Sequence, residues 1–183
     1  MHGLVFEIFE DWVIESHGLK AWHSIKEKAT CDVKDKSFVT RTFYNYDIWI
    51  ELVTATSEEL SVSFDKVLEC YGKHIIRYHF SHGNEALLRC QGSTLRQWLS
   101  NLNAMHDHVQ KSFPGTNFCP PVFWCEDCET VEGSILLHYF SLRGNLLVPW
   151  VVGIVEECKS TFVLNSGLVS IRIANHICFY CLH

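Results

Sequence analysis

His138-Tyr139-Phe140-Ser141-Leu142-Arg143 is the stretch on which the reading of this chain turns. As an extended strand it alternates faces with period two. Tyr139, Ser141 and Arg143 then fall on one side, and His138, Phe140 and Leu142 on the other. One face presents a phenol, a hydroxyl and a guanidinium. That donor-rich set suits carboxylates or phosphates, because arginine supplies a rigid fork and the hydroxyls add single hydrogen bonds. The same alternation also describes an ordinary strand whose polar face meets water. The stretch alone does not separate the two.

Working outward, residues 122–126 pair with 134–143 as an antiparallel hairpin across a polar turn. Pro120 and Pro121 hold the approach extended. On the other side, Pro149 opens a predicted helix over 149–159, and 162–174 and 177–182 read as strands. Everything before about residue 115 is helical in pattern. Helices are expected over 3–15, 19–29, 46–56 and 58–80, with Gly72 breaking the last, and a short helix or turn over 85–90. The longest amphipathic pattern is a single helix over 93–113. Its apolar face carries Leu95, Trp98, Leu99, Leu102, Met105 and Val109, and His106 shares that side while Asp107 and His108 point away. The expected class is α+β: one domain over 1–183, with a helical part to about 115 packed on an antiparallel sheet with a helix in a sheet-rich part from about 116.

Composition narrows the function. The chain has 183 residues, 48% of them hydrophobic, which suffices for a real core. A net charge of −6 without a basic run argues against a nucleic-acid or anionic-membrane binder. No apolar run reaches the ~20 residues that span a bilayer. The N-terminus lacks the basic flank of a signal peptide. Nine cysteines without such a signal suggest reduced thiols in a cytoplasmic protein. No nucleophile–base pair or paired-carboxylate motif stands out, so no enzymatic activity is expected.

His106 by itself reads as a hydrogen-bonded core histidine or as an axial metal ligand. Set beside the Tyr139/Ser141/Arg143 face, it gives one group for an iron and another for two propionates.

Tyr139-x-Ser141-x-Arg143, together with the helix from Leu99 to His108 followed by Phe113-Pro114-Gly115, resembles the haem-nitric oxide/oxygen-binding (H-NOX) domains. The look is closest to the sensor domain of soluble guanylate cyclase β-type subunits. The opening Met1-His2-Gly3 is similar to the family's Met-Tyr-Gly start, with His2 in place of tyrosine. Cys70-Tyr71-Gly72-Lys73 is similar to its aromatic-Gly-Lys segment. The resemblance covers roughly residues 1–160; the tail departs from the pattern.

The resemblance implies haem b (iron protoporphyrin IX) held between the two parts. His106 would be the proximal iron ligand and Tyr139, Ser141 and Arg143 the propionate clamp. Pro121 would press on the haem plane, with Val5, Ile75 and Trp150 on the distal side. Trp150 stands where oxygen-binding members have a tyrosine, which implies a sensor for nitric oxide, with carbon monoxide a further ligand, that binds oxygen weakly. Nitric oxide would weaken the iron–His106 bond, and the helix would pass the change to a signalling partner or a fused guanylate cyclase or kinase output domain. The chain ends at His183 with no cyclase domain in it.

The rival expectation is a haem-free redox or zinc-binding module on the same fold. It rests on Cys125-x-x-Cys128 and on His176-x-Cys178-x-x-Cys181-x-His183.

Overall fold

A computed structural model describes residues 1–29, 38–113, 119–127, 129, 134–162 and 171–177. The helical part begins with α1 (Gly3–His17) and α2 (Leu19–Lys28). It continues with α3 (Tyr46–Leu60) and α4 (Phe64–Ser81), then the short α5 (Glu85–Arg89). Side chains cap the helices where the sequence offers a short acceptor. His2 accepts from the Leu4 amide at the start of α1, Asn45 from Asp47 at α3, and Ser63 from Lys66 at α4. Each satisfies an amide that the first turn leaves without an intrahelical partner.

Two expected breaks fall elsewhere. The α3–α4 boundary is at Ser61, in the left-handed conformation, and not at Ser57. Gly72 does not interrupt α4, which runs unbroken through it. Its role is packing. A Cβ at Gly72 would lie 2.3 Å from the Trp150 carbonyl oxygen, and one at Gly153 would lie 2.0 Å from that of Glu69. The two glycines let α4 and α8 (Val148–Phe162) cross almost backbone to backbone. Pro149 lies in the first turn of α8, as expected, and Val151, Val155 and Cys158 form its buried face. Phe6, Phe9, Trp22, Trp49, Tyr71 and Leu68 fill the space between α1, α2, α3 and α4.

The 93–113 pattern is two helices, α6 (Leu95–Ser100) and α7 (Leu102–Ser112). Thr94 caps the first. Asn101, at φ −91° and ψ 0°, breaks the run, and its side-chain amide donates to the Gln91 carbonyl at 2.5 Å. A short polar side chain bonding backbone outside the helix competes with helix continuation, a competition that apolar periodicity does not register.

The expected hairpin is present. β1 (Val122–Asp127) pairs antiparallel with β2 (Ile135–Ser141), in a register that sets Phe123 opposite Tyr139 and Trp124 opposite His138. β3 (Ile171–Ile177) joins the other edge of β2 in parallel, so the sheet order is β1-β2-β3 and the sheet is mixed. The residues expected as a strand over 162–174 divide: Phe162 ends α8, and the strand begins at Ile171. The predicted 177–182 strand lies outside the described residues beyond Ile177.

Candidate cofactor site

β2 decides between the two readings of its own alternation. Ile135, Leu137, Tyr139 and Ser141 are buried, while Leu136, His138 and Phe140 are half-buried. Tyr139 and Ser141 are each 2% exposed, so the hydroxyl-bearing face is the inner one and the water-facing alternative fails. The strand stops at Ser141. Arg143 stands in the turn that follows, ahead of the 3-10 turn Gly144–Leu147, so period two does not position it.

Contacts hold the three together. The Ser141 hydroxyl lies near enough to the Tyr139 phenol to favour its ionised form, and the Arg143 amide donates to Ser141 Oγ at 3.1 Å. The Arg143 guanidinium lies over the Tyr46 ring, 4.9 Å from its centroid. Burial pushes the Tyr139 phenol up, against the pull of Ser141 and Arg143. Tyr46 is pushed up to about 12, again chiefly by burial, and its hydroxyl has no hydrogen-bond partner. Met1 reaches the same place. Its ammonium donates to the Tyr44 carbonyl at 2.7 Å, and burial together with the nearby Arg143 charge lowers its pKa. Among the described residues no carboxylate pairs with Arg143.

His106 sits on α7. Its Nδ1 is 2.8 Å from the Leu102 carbonyl oxygen, one turn back. A carbonyl only accepts, so Nδ1 carries the hydrogen, and Nε2 is left with its lone pair in the neutral ring. Burial lowers the His106 pKa, with the Leu102 hydrogen bond and Asp107 opposing, which favours that neutral form. The ring lies 5.6 Å from Phe123, and Phe123 lies 5.4 Å from Tyr139. Phe123 thus sits between the imidazole and the hydroxyl face.

Sequence reading missed Asn103, Tyr46 and the Met1 ammonium. Asn103 donates through its side-chain amide to the Phe123 carbonyl at 2.7 Å and accepts from the Phe123 amide at 2.8 Å. It fastens α7 to β1 and sets the His106 ring against Phe123. An asparagine three residues before the histidine carries no pattern that would announce this.

The remaining expected residues come from four places. Val5 lies on α1, Ile75 on α4, Trp150 on α8, and Pro121 just ahead of β1; all are half-buried. The Val5 carbonyl accepts from the Tyr71 hydroxyl at 2.6 Å. Trp150 stacks on Tyr71, with centroids 5.8 Å apart and planes 12° apart, and also touches Trp49 at 5.4 Å.

Among the described residues, a neutral imidazole with a lone pair, an arginine without a carboxylate and a half-buried tyrosine whose hydroxyl lacks a partner are what a metal-bearing dicarboxylate group would satisfy. The residues fit haem. The Cys/His alternative rests largely on Cys128, Cys178, Cys181 and His183, which lie outside the described residues.

Comparison with known proteins defines the class. The profile of the haem-NO-binding family matches residues 2–167. Soluble guanylate cyclase gcy-32 of Caenorhabditis elegans is 31% identical over 92% of this chain and 24% of its own length; gcy-34 of the same organism is 30% identical over the same shares. The chain thus spans about a quarter of the length of these relatives. The Fe(II) unliganded H-NOX protein from K. algicida superposes with a TM-score of 0.72 at 21% identity, covering 89% of this chain and 84% of that one. The Fe(II)NO form of an H-NOX protein from S. oneidensis gives 0.71 at 18%, covering 89% and 86%. This chain belongs to the haem-NO-binding family, the H-NOX domains, which are haem-based gas sensors related to the soluble guanylate cyclases.

Proposed function

We propose that this chain senses nitric oxide through haem b held by His106, with Tyr139, Ser141 and Arg143 on the propionates. The observation that carries the reading is the His106 ring, its Nδ1 tied to Leu102 and its Nε2 lone pair left for a metal. Haem, held by His106 and the Tyr139/Ser141/Arg143 face, would supply an iron that takes up a diatomic gas, nitric oxide or carbon monoxide. The protein's share is orientation. Asn103 and Leu102 fix the imidazole, and Arg143 gives a bidentate donor for a carboxylate. In this reading Pro121 would press on the haem plane, and Val5, Ile75 and Trp150 would line the distal side. Trp150, stacked on Tyr71, presents an aromatic ring where a hydroxyl donor would favour oxygen.

α7 is the element whose position depends on whether His106 is tied. Of its eleven residues only Leu102 is fully buried, so little packing holds it otherwise. The domain is a non-catalytic one in this reading, taking 1–183 as one unit in the cytoplasm. It acts on a signalling partner or a fused cyclase or kinase output domain.

Spectra test the assignment. The ferrous chain loaded with haem should shift its Soret band on nitric oxide addition, and stay unchanged in air. His106→Ala should lose the native ligation while keeping its helical circular dichroism. Arg143→Ala should release haem to an apo-globin acceptor at least tenfold faster. Unchanged ligation in His106→Ala would remove that residue from the iron.

A further inference from the structure

A second cluster of ligand-type side chains joins α1 to α4, away from β2 and α7. Asp11 and Glu15 stand one turn apart on α1, and His74 reaches them from α4. His74 Nε2 is 2.8 Å from Asp11 Oδ2, and Nδ1 is 3.4 Å from Glu15 Oε2. The imidazole is 8% exposed, whereas the two carboxylates are open to solvent at 41% and 71%. One ligand atom from each of the three lies within 4.8 Å of the others.

Two carboxylates share one imidazole. A neutral imidazole has one N–H, so it can serve only one of the two carboxylates. The other ring nitrogen then turns a lone pair toward an oxygen. The neighbouring cations are committed elsewhere. Arg77 donates to both Glu157 oxygens at 2.9 and 2.8 Å, and Lys73 pairs with Glu156 at 2.7 Å and Glu69 at 3.0 Å. Among the described residues no lysine or arginine is bonded to either carboxylate, and Arg77 acts on Glu15 only through its charge.

We propose that Asp11, Glu15 and His74 bind a divalent transition metal, with Zn²⁺ the best match. One imidazole nitrogen and two carboxylate oxygens are ligands zinc accepts, with a water in the fourth place. A cation of charge two neutralises the carboxylates and takes the lone pair of the neutral imidazole. Zinc–ligand bonds of about 2.0–2.2 Å require both exposed carboxylates, Asp11 and Glu15, to turn toward one ring nitrogen of His74. A cleft of about 560 Å³, lined by Glu15 and His74 together with Ser16, His17, Cys70 and Tyr78, leaves room for the water. The ion would tie α1 to α4 one residue from Ile75, and so stiffen the wall that Val5 and Ile75 form. The site does not depend on haem.

The test titrates the purified, haem-loaded chain with zinc chloride by calorimetry and records the zinc K-edge spectrum. The comparison is Asp11→Asn with Glu15→Gln, both at exposed positions, so the fold survives where His74→Ala could lose it. The wild-type chain should take up one more equivalent than the double variant. That extra zinc should show only nitrogen and oxygen neighbours at about 2.0–2.2 Å, against about 2.3 Å for sulfur at any cysteine site. It should also raise Tm in the wild type alone. Equal stoichiometry in the two proteins, or sulfur in the shell of the extra ion, overturns the proposal and leaves an imidazolium ion-pair clamp.

Discussion

The α4–α8 crossing and the α6–α7 segment are built on opposite plans. Seven of the α4 residues are buried, and Gly72 and Gly153 bring its backbone against that of α8. α7 buries only Leu102, and among the described residues Asn103 fastens it to β1. Close packing admits no gradual deformation, so the first region is a fixed wall. A helix with few buried contacts can change position at small cost. His106 is carried on the second and Ile75 and Trp150 on the first. A ligand-driven shift is therefore expected on the His106 side.

The contrast can be broken most sharply at Gly153. Gly153→Ala places a methyl 2.0 Å from a backbone oxygen that cannot rotate away, and should cost about 3 kcal/mol or more in urea unfolding. A loss below about 1 kcal/mol would mean that the crossing is loose.

Next in size is Asn103→Ala. It removes both hydrogen bonds to Phe123 and should cost about 1–3 kcal/mol, with a fall in haem affinity. Unchanged haem retention would show that α7 is held by something other than Asn103.

A smaller effect concerns pH. Burial lowers the pKa of His2, His79 and His106 below the ordinary 6.5. The unfolded chain then binds more protons than the folded one at acidic pH. The stability these neutral rings permit is complete above about 6.5 and falls as pH drops from there through their folded pKa values. Acid titration of Tm should show the decline, and His106→Gln should reduce it. A flat Tm from pH 7 to 5 would contradict the burial of these rings.

The smallest change is Arg77→Ala. Arg77 spans α4 to Glu157 of α8 but is 63% exposed, so its loss should cost less than about 1 kcal/mol in the same unfolding assay. A larger loss would shift the strength of the crossing from its packed backbone to its charged rim.

The chain's own pattern determined a good deal. Apolar residues at helical spacing marked α1, α3 and α4, and proline placed the start of α8, because periodicity and backbone restriction are local properties. The Tyr-x-Ser-x-Arg stretch and His106 point to the family without any tertiary contact. Tertiary structure decided the rest. Gly72 reads as a helix breaker until α8 lies against it, since its purpose is the approach of another backbone. Asn101 splits an unbroken apolar stripe because its amide finds a carbonyl ten residues back. The alternation in β2 says that two faces differ, but which one is buried depends on what packs against it. Tyr46 and the Met1 ammonium reach Arg143 from about a hundred residues or more away in sequence. Spacing along a chain carries no record of contacts that only folding creates.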